Sequence, residues 1–191
     1  MRIPALILAS LGALAAFPAA AQQVDTASQR LELLGDAPAA CVLNAPTATN
    51  AINSTFGLNG YASGRVGIVQ FVDPQTAQSN ASSIELSFPV ICNSPHRIVM
   101  RSANGGMQRA GSTSVAIRGT NGFSEFLPYQ LQLDWAGQAL NRSSDAGTGA
   151  IDSAQAGTGD LSLRISTPAG SGPFVAGTYN DTIVIELQAA N

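Results

Sequence analysis

The chain contains no lysine; its nine basic residues are all arginines, spread singly along 191 residues. A nucleic-acid partner requires a basic patch or stripe, so that class of function is excluded. Charge of either sign is scarce, at 11% of residues. Histidine occurs once, at His96, and cysteine twice, at Cys41 and Cys92, so a metal centre or a thiol catalyst lacks partner residues. No segment after the N-terminal leader has the periodicity of a helix. No segment approaches the ~18 consecutive apolar residues of a membrane span, which excludes a membrane-spanning helix.

The first residues do carry an apolar run. Arg2 is a single positive charge, Ile3 to Phe17 is rich in Ala and Leu, and Ala19-Ala20-Ala21 places small residues where a signal peptidase reads. Residues 1–21 are therefore expected to be a secretory signal cut before Gln22. Export predicts an oxidising compartment, in which Cys41 and Cys92 form one disulfide. What remains is long enough for one domain. Disordered chains combine low hydrophobicity with high net charge; here 45% of residues are hydrophobic and they alternate. Gly, Ser, Thr, Asn and Ala dominate the rest, a composition that suits short strands joined by turns.

The alternation is clearest in Gly177–Gln188. Tyr179, Ile183, Ile185 and Leu187 share one parity, and mostly polar residues share the other, as in a strand with one buried face. The chain stops three residues later, so this strand is expected to leave an edge for another chain. Ile84, Leu86, Phe88, Val90 and Cys92 alternate in the same way, which points Cys92 inward. So do Leu127, Tyr129, Leu131, Leu133 and Trp135, and further on Leu161, Leu163 and Ile165. Shorter strands are expected at Cys41–Leu43, Ile52–Phe56, Arg65–Val72, His96–Met100 and Ser114–Arg118. Asn141–Asp160, with Ala-Gly-Thr-Gly twice, reads as a long low-complexity loop. Seven or eight strands without helices predict an all-β sandwich with Greek-key connections. Residues 22–40, carrying Leu31 and Leu33 on one face, form an N-terminal extension ahead of the domain 41–191.

No catalytic constellation emerges. His96 lies in Ser94-Pro95-His96-Arg97 with no Gly-x-Ser-x-Gly elbow in the chain. Asp145, Asp152 and Asp160 lack the tight spacing of a calcium loop. Gly147-x-Gly149 and Gly157-x-Gly159 do not join a strand to a helix, so they are no nucleotide fingerprint. Tyr129 and Trp135 fall on the apolar parity, which assigns them to the core. The sequons at Asn53 and Asn180 follow from composition. Neither an enzyme nor a cofactor is expected.

Several segments resemble the spore coat U domain family, the secreted pilin-like subunits of archaic chaperone–usher systems. They are Cys41-Val42-Leu43, Phe56-Gly57, Ile91-Cys92-Asn93, Leu127-Pro128-Tyr129-Gln130-Leu131, Trp135-Ala136-Gly137 and Gly177 to Ile185. The resemblance implies an immunoglobulin-like sandwich lacking its last strand, with a hydrophobic groove beside the final strand. A periplasmic chaperone would fill the groove first, and at the outer-membrane usher the extension of the next subunit would replace it, giving a head-to-tail polymer. On that reading Leu31 and Leu33 belong to the donor strand, and Tyr179, Ile183, Ile185 and Leu187 to the acceptor groove. The protein would then be a structural subunit of a surface pilus or coat. The alternative is a secreted tip adhesin or binding module with a self-contained sandwich, its binding surface on the Asn141–Asp160 loop.

Overall fold

A computed structural model of the chain describes residues 29–60, 63–119 and 121–190. The expected signal, 1–21, and the start of the extension lie outside the described residues. Residues 29–40 carry no strand, and Leu31 and Leu33 are 91% and 95% exposed.

The unit Ala37–Asn191 is all β apart from one 3-10 turn. In chain order its strands are β1 (Cys41–Leu43), β2 (Thr47–Ile52), β3 (Ser54–Leu58), β4 (Gly64–Ile68), β5 (Ser82–Cys92), β6 (His96–Ser102) and β7 (Met107–Arg109). There follow β8 (Phe126–Leu127), β9 (Gln130–Trp135), β10 (Gln138–Ser143), β11 (Gly149–Ser153), β12 (Gly157–Thr167), β13 (Tyr179–Asn180) and β14 (Ile183–Ala189). The two longest, β5 and β12, pair antiparallel along their full length and form the spine of the main sheet, ordered β1-β5-β12-β9-β10. β2 pairs with β5 beyond the end of β1 on the same edge. A second sheet is ordered β11-β6-β14, a third β13-β7-β8, and β3 and β4 form a hairpin. Every one of these strand pairs is antiparallel.

The alternation in the sequence sets which residues meet. Leu163 stands opposite both Leu86 on β5 and Leu133 on β9, so three leucines fall in one row of the main sheet's inner face. That face, with Val90, Cys92, Leu131, Trp135 and Leu161, buries Ile98 and Met100 of β6 and Ile151 of β11 in a single core. Covering one face of each sheet with the other is the stable solution for strands apolar on one side only. A smaller aromatic cluster sits apart, where the Phe71, Phe174 and Tyr179 rings lie 4.9–5.6 Å apart between centroids.

The structure departs from the expected elements in several places; the expected strand through Leu127–Trp135, for one, is split into β8 and β9, which belong to different sheets. The expected strand Ile52–Phe56 is split at Asn53, whose φ of 50° turns the chain between β2 and β3. Its amide side chain fixes that turn, donating to the Gln70 and Ala81 carbonyls and accepting from the Gln70 N–H. Arg65–Val72 holds strand only as far as Ile68. Ser114–Arg118 is not a strand, and the local turn is held by Ser112 and Ser114 hydroxyls accepting backbone N–H bonds. Asn141–Asp160 is no loop: it contains the end of β10, the 3-10 turn Ser144–Ala146, β11 and the start of β12. Its Gly, Ala and Thr residues hide the strand because Ile151 is the single large apolar side chain there, and that side chain is 4% exposed.

Candidate interaction edge

Among the described residues β14 pairs with β6 and with no other strand, so there it forms the edge of its sheet. Register places Ile185 beside Met100 and Leu187 beside Ile98. The two β6 residues are fully buried, whereas Ile183, Ile185 and Leu187 are only half-buried although they pack against the same core. The difference lies in position: among the described residues β6 has a neighbour on each side, and β14 has one.

The backbone of β14 shows which groups face the free side. Ala103 N–H donates to Thr182 O, and Ala190 N–H donates to Pro95 O, so even-numbered residues turn their peptide groups toward β6. In an antiparallel pair the N–H and C=O of one residue point the same way and neighbours alternate. The N–H and C=O of Ile183, Ile185, Leu187 and Ala189 therefore point to the unpaired edge. Apolar side chains and free backbone groups thus belong to the same residues. An added strand would meet hydrogen-bonding partners along its backbone and apolar pockets beneath alternate side chains.

β1 is the other border of this gap. Its Cα atoms come within 8 Å of those of β14 without pairing. Cys41 and Leu43, half-buried, pack on the same core as the β14 residues. Cys41 stands directly opposite Cys92 and is disulfide-bonded to it, with a Cα–Cα distance of 4.2 Å, so a covalent bond holds β1 to β5.

Asp181 defines where β14 begins. Its carboxylate accepts the Tyr129 hydroxyl at 2.7 Å, the Ser102 hydroxyl, and the backbone N–H groups of Asn104 at 3.0 Å and Thr182 at 2.7 Å. Burial, and next the Asp181 carboxylate, push the Tyr129 hydroxyl well above the usual tyrosine range. Asp181 thereby interrupts what the sequence presents as one strand, and it ties β14 to the ends of β6 and β9. Tyr179 falls on the other side of the break. It pairs with Arg109 in β13 and donates its hydroxyl to the Val175 carbonyl, within the aromatic cluster and away from Ile183, Ile185 and Leu187. The structure thus brings three of the four expected groove residues onto one edge. Asp181 escaped the sequence reading, although an aspartate inside an apparent strand is itself the signal of a break.

The residues weighed for chemistry are otherwise engaged. Trp135 Nε1–H donates to His96 Nε2 at 2.8 Å, and His96 Nδ1 lies 3.0 Å from the Ser94 carbonyl, to which it donates. That pattern requires the neutral Nδ1–H tautomer and uses both ring nitrogens. The sulfur and ring-nitrogen atoms of Cys41, Cys92 and His96 lie within 4.8 Å of one another, but the cystine holds no thiolate and both imidazole nitrogens are engaged in hydrogen bonds. Asp145, Asp152 and Asp160 stand in the 3-10 turn, β11 and β12 respectively, and Asp152 lies 3.7 Å from Arg97. No helix among the described residues is long and apolar enough to cross a membrane.

The family model for the Spore Coat Protein U domain matches residues 30–186. No curated protein sequence matches the chain.

Proposed function

The chain belongs to the Spore Coat Protein U domain family, whose members are pilus- or coat-type subunits, and we propose that it polymerises by donor-strand complementation. The observation that carries this reading is the unpaired edge of β14, where Ile183, Ile185 and Leu187 are half-buried and present their free backbone groups along the same line. The donor is the extension 22–40 of a neighbouring copy or related subunit, with Leu31 and Leu33 as the anchors. These leucines are almost fully exposed, so their burial in a neighbour contributes on the order of 1.5–3 kcal/mol each.

Physical reasons recommend the pairing. An exposed apolar edge strand templates aggregation, so a free subunit needs a periplasmic chaperone on that edge until the usher exchanges it for the next subunit. Two interstrand spacings amount to about 9.5 Å. Where β1 comes within 8 Å of β14, the gap must widen as the donor enters, and β1 is only three residues long. A head-to-tail contact does not close on itself, so it yields a filament. On this reading residues 1–21 are a signal, 22–40 the donor and 41–191 the sandwich, and the product leaves through the periplasm for the cell surface. The chemistry is structural, with no enzymatic step or cofactor. A tip adhesin or self-contained binder was expected to use Asn141–Asp160 as its free surface, but that segment is largely taken up by β10, β11 and β12.

The test compares unheated and boiled surface extracts by gel, for the intact chain and for one lacking residues 22–40. A detergent-resistant ladder that collapses on boiling and disappears with the deletion is expected. Monomer in every lane, stable without a chaperone, would overturn the reading.

A further inference from the structure

Donor-strand exchange raises a problem of competition. An extension joined directly to β1 is tethered to its own groove, and a short flexible tether gives an effective concentration in the millimolar range. Self-insertion would therefore outrun insertion into a neighbour unless geometry forbids it.

Asn93, immediately after the cystine, holds the chain that leads into β1. Its side-chain Oδ1 accepts the Ala40 N–H at 2.7 Å, its Nδ2 donates to the Pro38 carbonyl at 2.8 Å, and its own N–H donates to the Ala40 carbonyl at 3.0 Å. One residue thus fixes Pro38–Ala40 as a continuation of β1 past the end of β5. We infer that Asn93 is a steering residue that keeps the extension out of its own subunit's groove, so that it is available only to a neighbour. The inference rests on the donor-strand reading above.

The clamp limits how far a returning extension can reach. To re-enter its own groove the extension must double back beside β1. With Pro38–Ala40 held straight, the turn can form no later than Asp36-Ala37. An antiparallel return then sets Leu34 opposite Ala39 and Leu33 opposite Ala40, both short of Cys41–Leu43, and Leu31 opposite Val42. With the clamp released, a turn at Pro38-Ala39 brings Leu34 opposite Leu43 and Leu33 opposite Asn44, level with the gap beside β14. The clamp therefore holds the register four residues back and keeps Leu33 and Leu34 from the groove of the same chain.

Asn93→Ala removes both side-chain hydrogen bonds and leaves β1, β5 and the cystine in place. Surface extracts from cells producing the intact chain and the variant would be compared by gel before and after boiling. Purified monomer would be followed by hydrogen exchange. Loss of two hydrogen bonds is expected to raise the ratio of monomer to ladder on the order of tenfold, with β14 amides more protected in the variant monomer than in the intact one. An unchanged ladder, or a variant monomer whose β14 is no better protected, would overturn the inference. Should Asn93→Ala fail to fold, seen as lost protection in β6, Asn93→Asp keeps the acceptor for Ala40 and removes only the donor to Pro38. The same two readouts then decide, with a smaller shift expected. Absence of a ladder from the intact chain would instead sink donor-strand exchange itself.

Discussion

Replacement of Asp181 by alanine tests whether the start of β14 is held by one carboxylate. The substitution removes four hydrogen bonds, from the Tyr129 and Ser102 hydroxyls and from the Asn104 and Thr182 N–H groups. The two backbone donors are exposed and regain water, so their loss is small. The Tyr129 side chain is 3% exposed, and its stranded hydroxyl costs about 1–3 kcal/mol. Charge-assisted bonds are stronger than neutral ones, and with the Ser102 bond the total comes to about 3–4 kcal/mol. In guanidinium chloride, with a slope of roughly 4 kcal/mol per M, the midpoint would fall by about 1 M with the slope unchanged. Asp181→Asn keeps a carbonyl acceptor for Tyr129 and is expected to lose about half as much. A cycle with Tyr129→Phe should show coupling of about 1–2 kcal/mol. A loss below about 1 kcal/mol for Asp181→Ala, or strict additivity with Tyr129→Phe, would refute the view that this carboxylate anchors the edge strand.

Tyr129 also predicts an alkaline limit. Its proton is held more tightly in the folded state than in the unfolded chain, so above the ordinary tyrosine value of 10.0 the folded state binds more protons and stability falls as pH rises. Tyr129→Phe should flatten that decline in denaturation midpoints measured from pH 9 upward. Replacing both cysteines by serine opens a loop of 51 residues and should cost about 4 kcal/mol on the chain-entropy model, read as a guanidinium midpoint shift that disappears when the parent is reduced. Ile151→Ala should cost about 2–5 kcal/mol as a core truncation; a cost below 0.5 kcal/mol would return Asn141–Asp160 to the status of a surface loop.

Period-two alternation was enough to locate β5, β9 and β12 and the inward face of Cys92, because side chains of a half-buried strand obey a local rule set by the backbone. The same rule identified Ile183, Ile185 and Leu187 as one face. It could not see β11, where Gly, Ala and Ser supply too little apolar contrast around Ile151; pairing with β6, a long-range fact, makes that segment a strand. Nor could it distinguish Tyr179 from Ile183, since both share a parity and only the Asp181 contacts to Tyr129, Ser102 and Asn104 break the strand between them. The two-residue spacing assigns a face, whereas an edge exists only in relation to the strands around it. That β14 has β6 on one side and β1 within reach but unpaired on the other, and that Asn93 grips Pro38 and Ala40 across more than fifty residues of sequence, are decided by tertiary structure, because hydrogen bonds between distant segments leave no periodic trace in the chain.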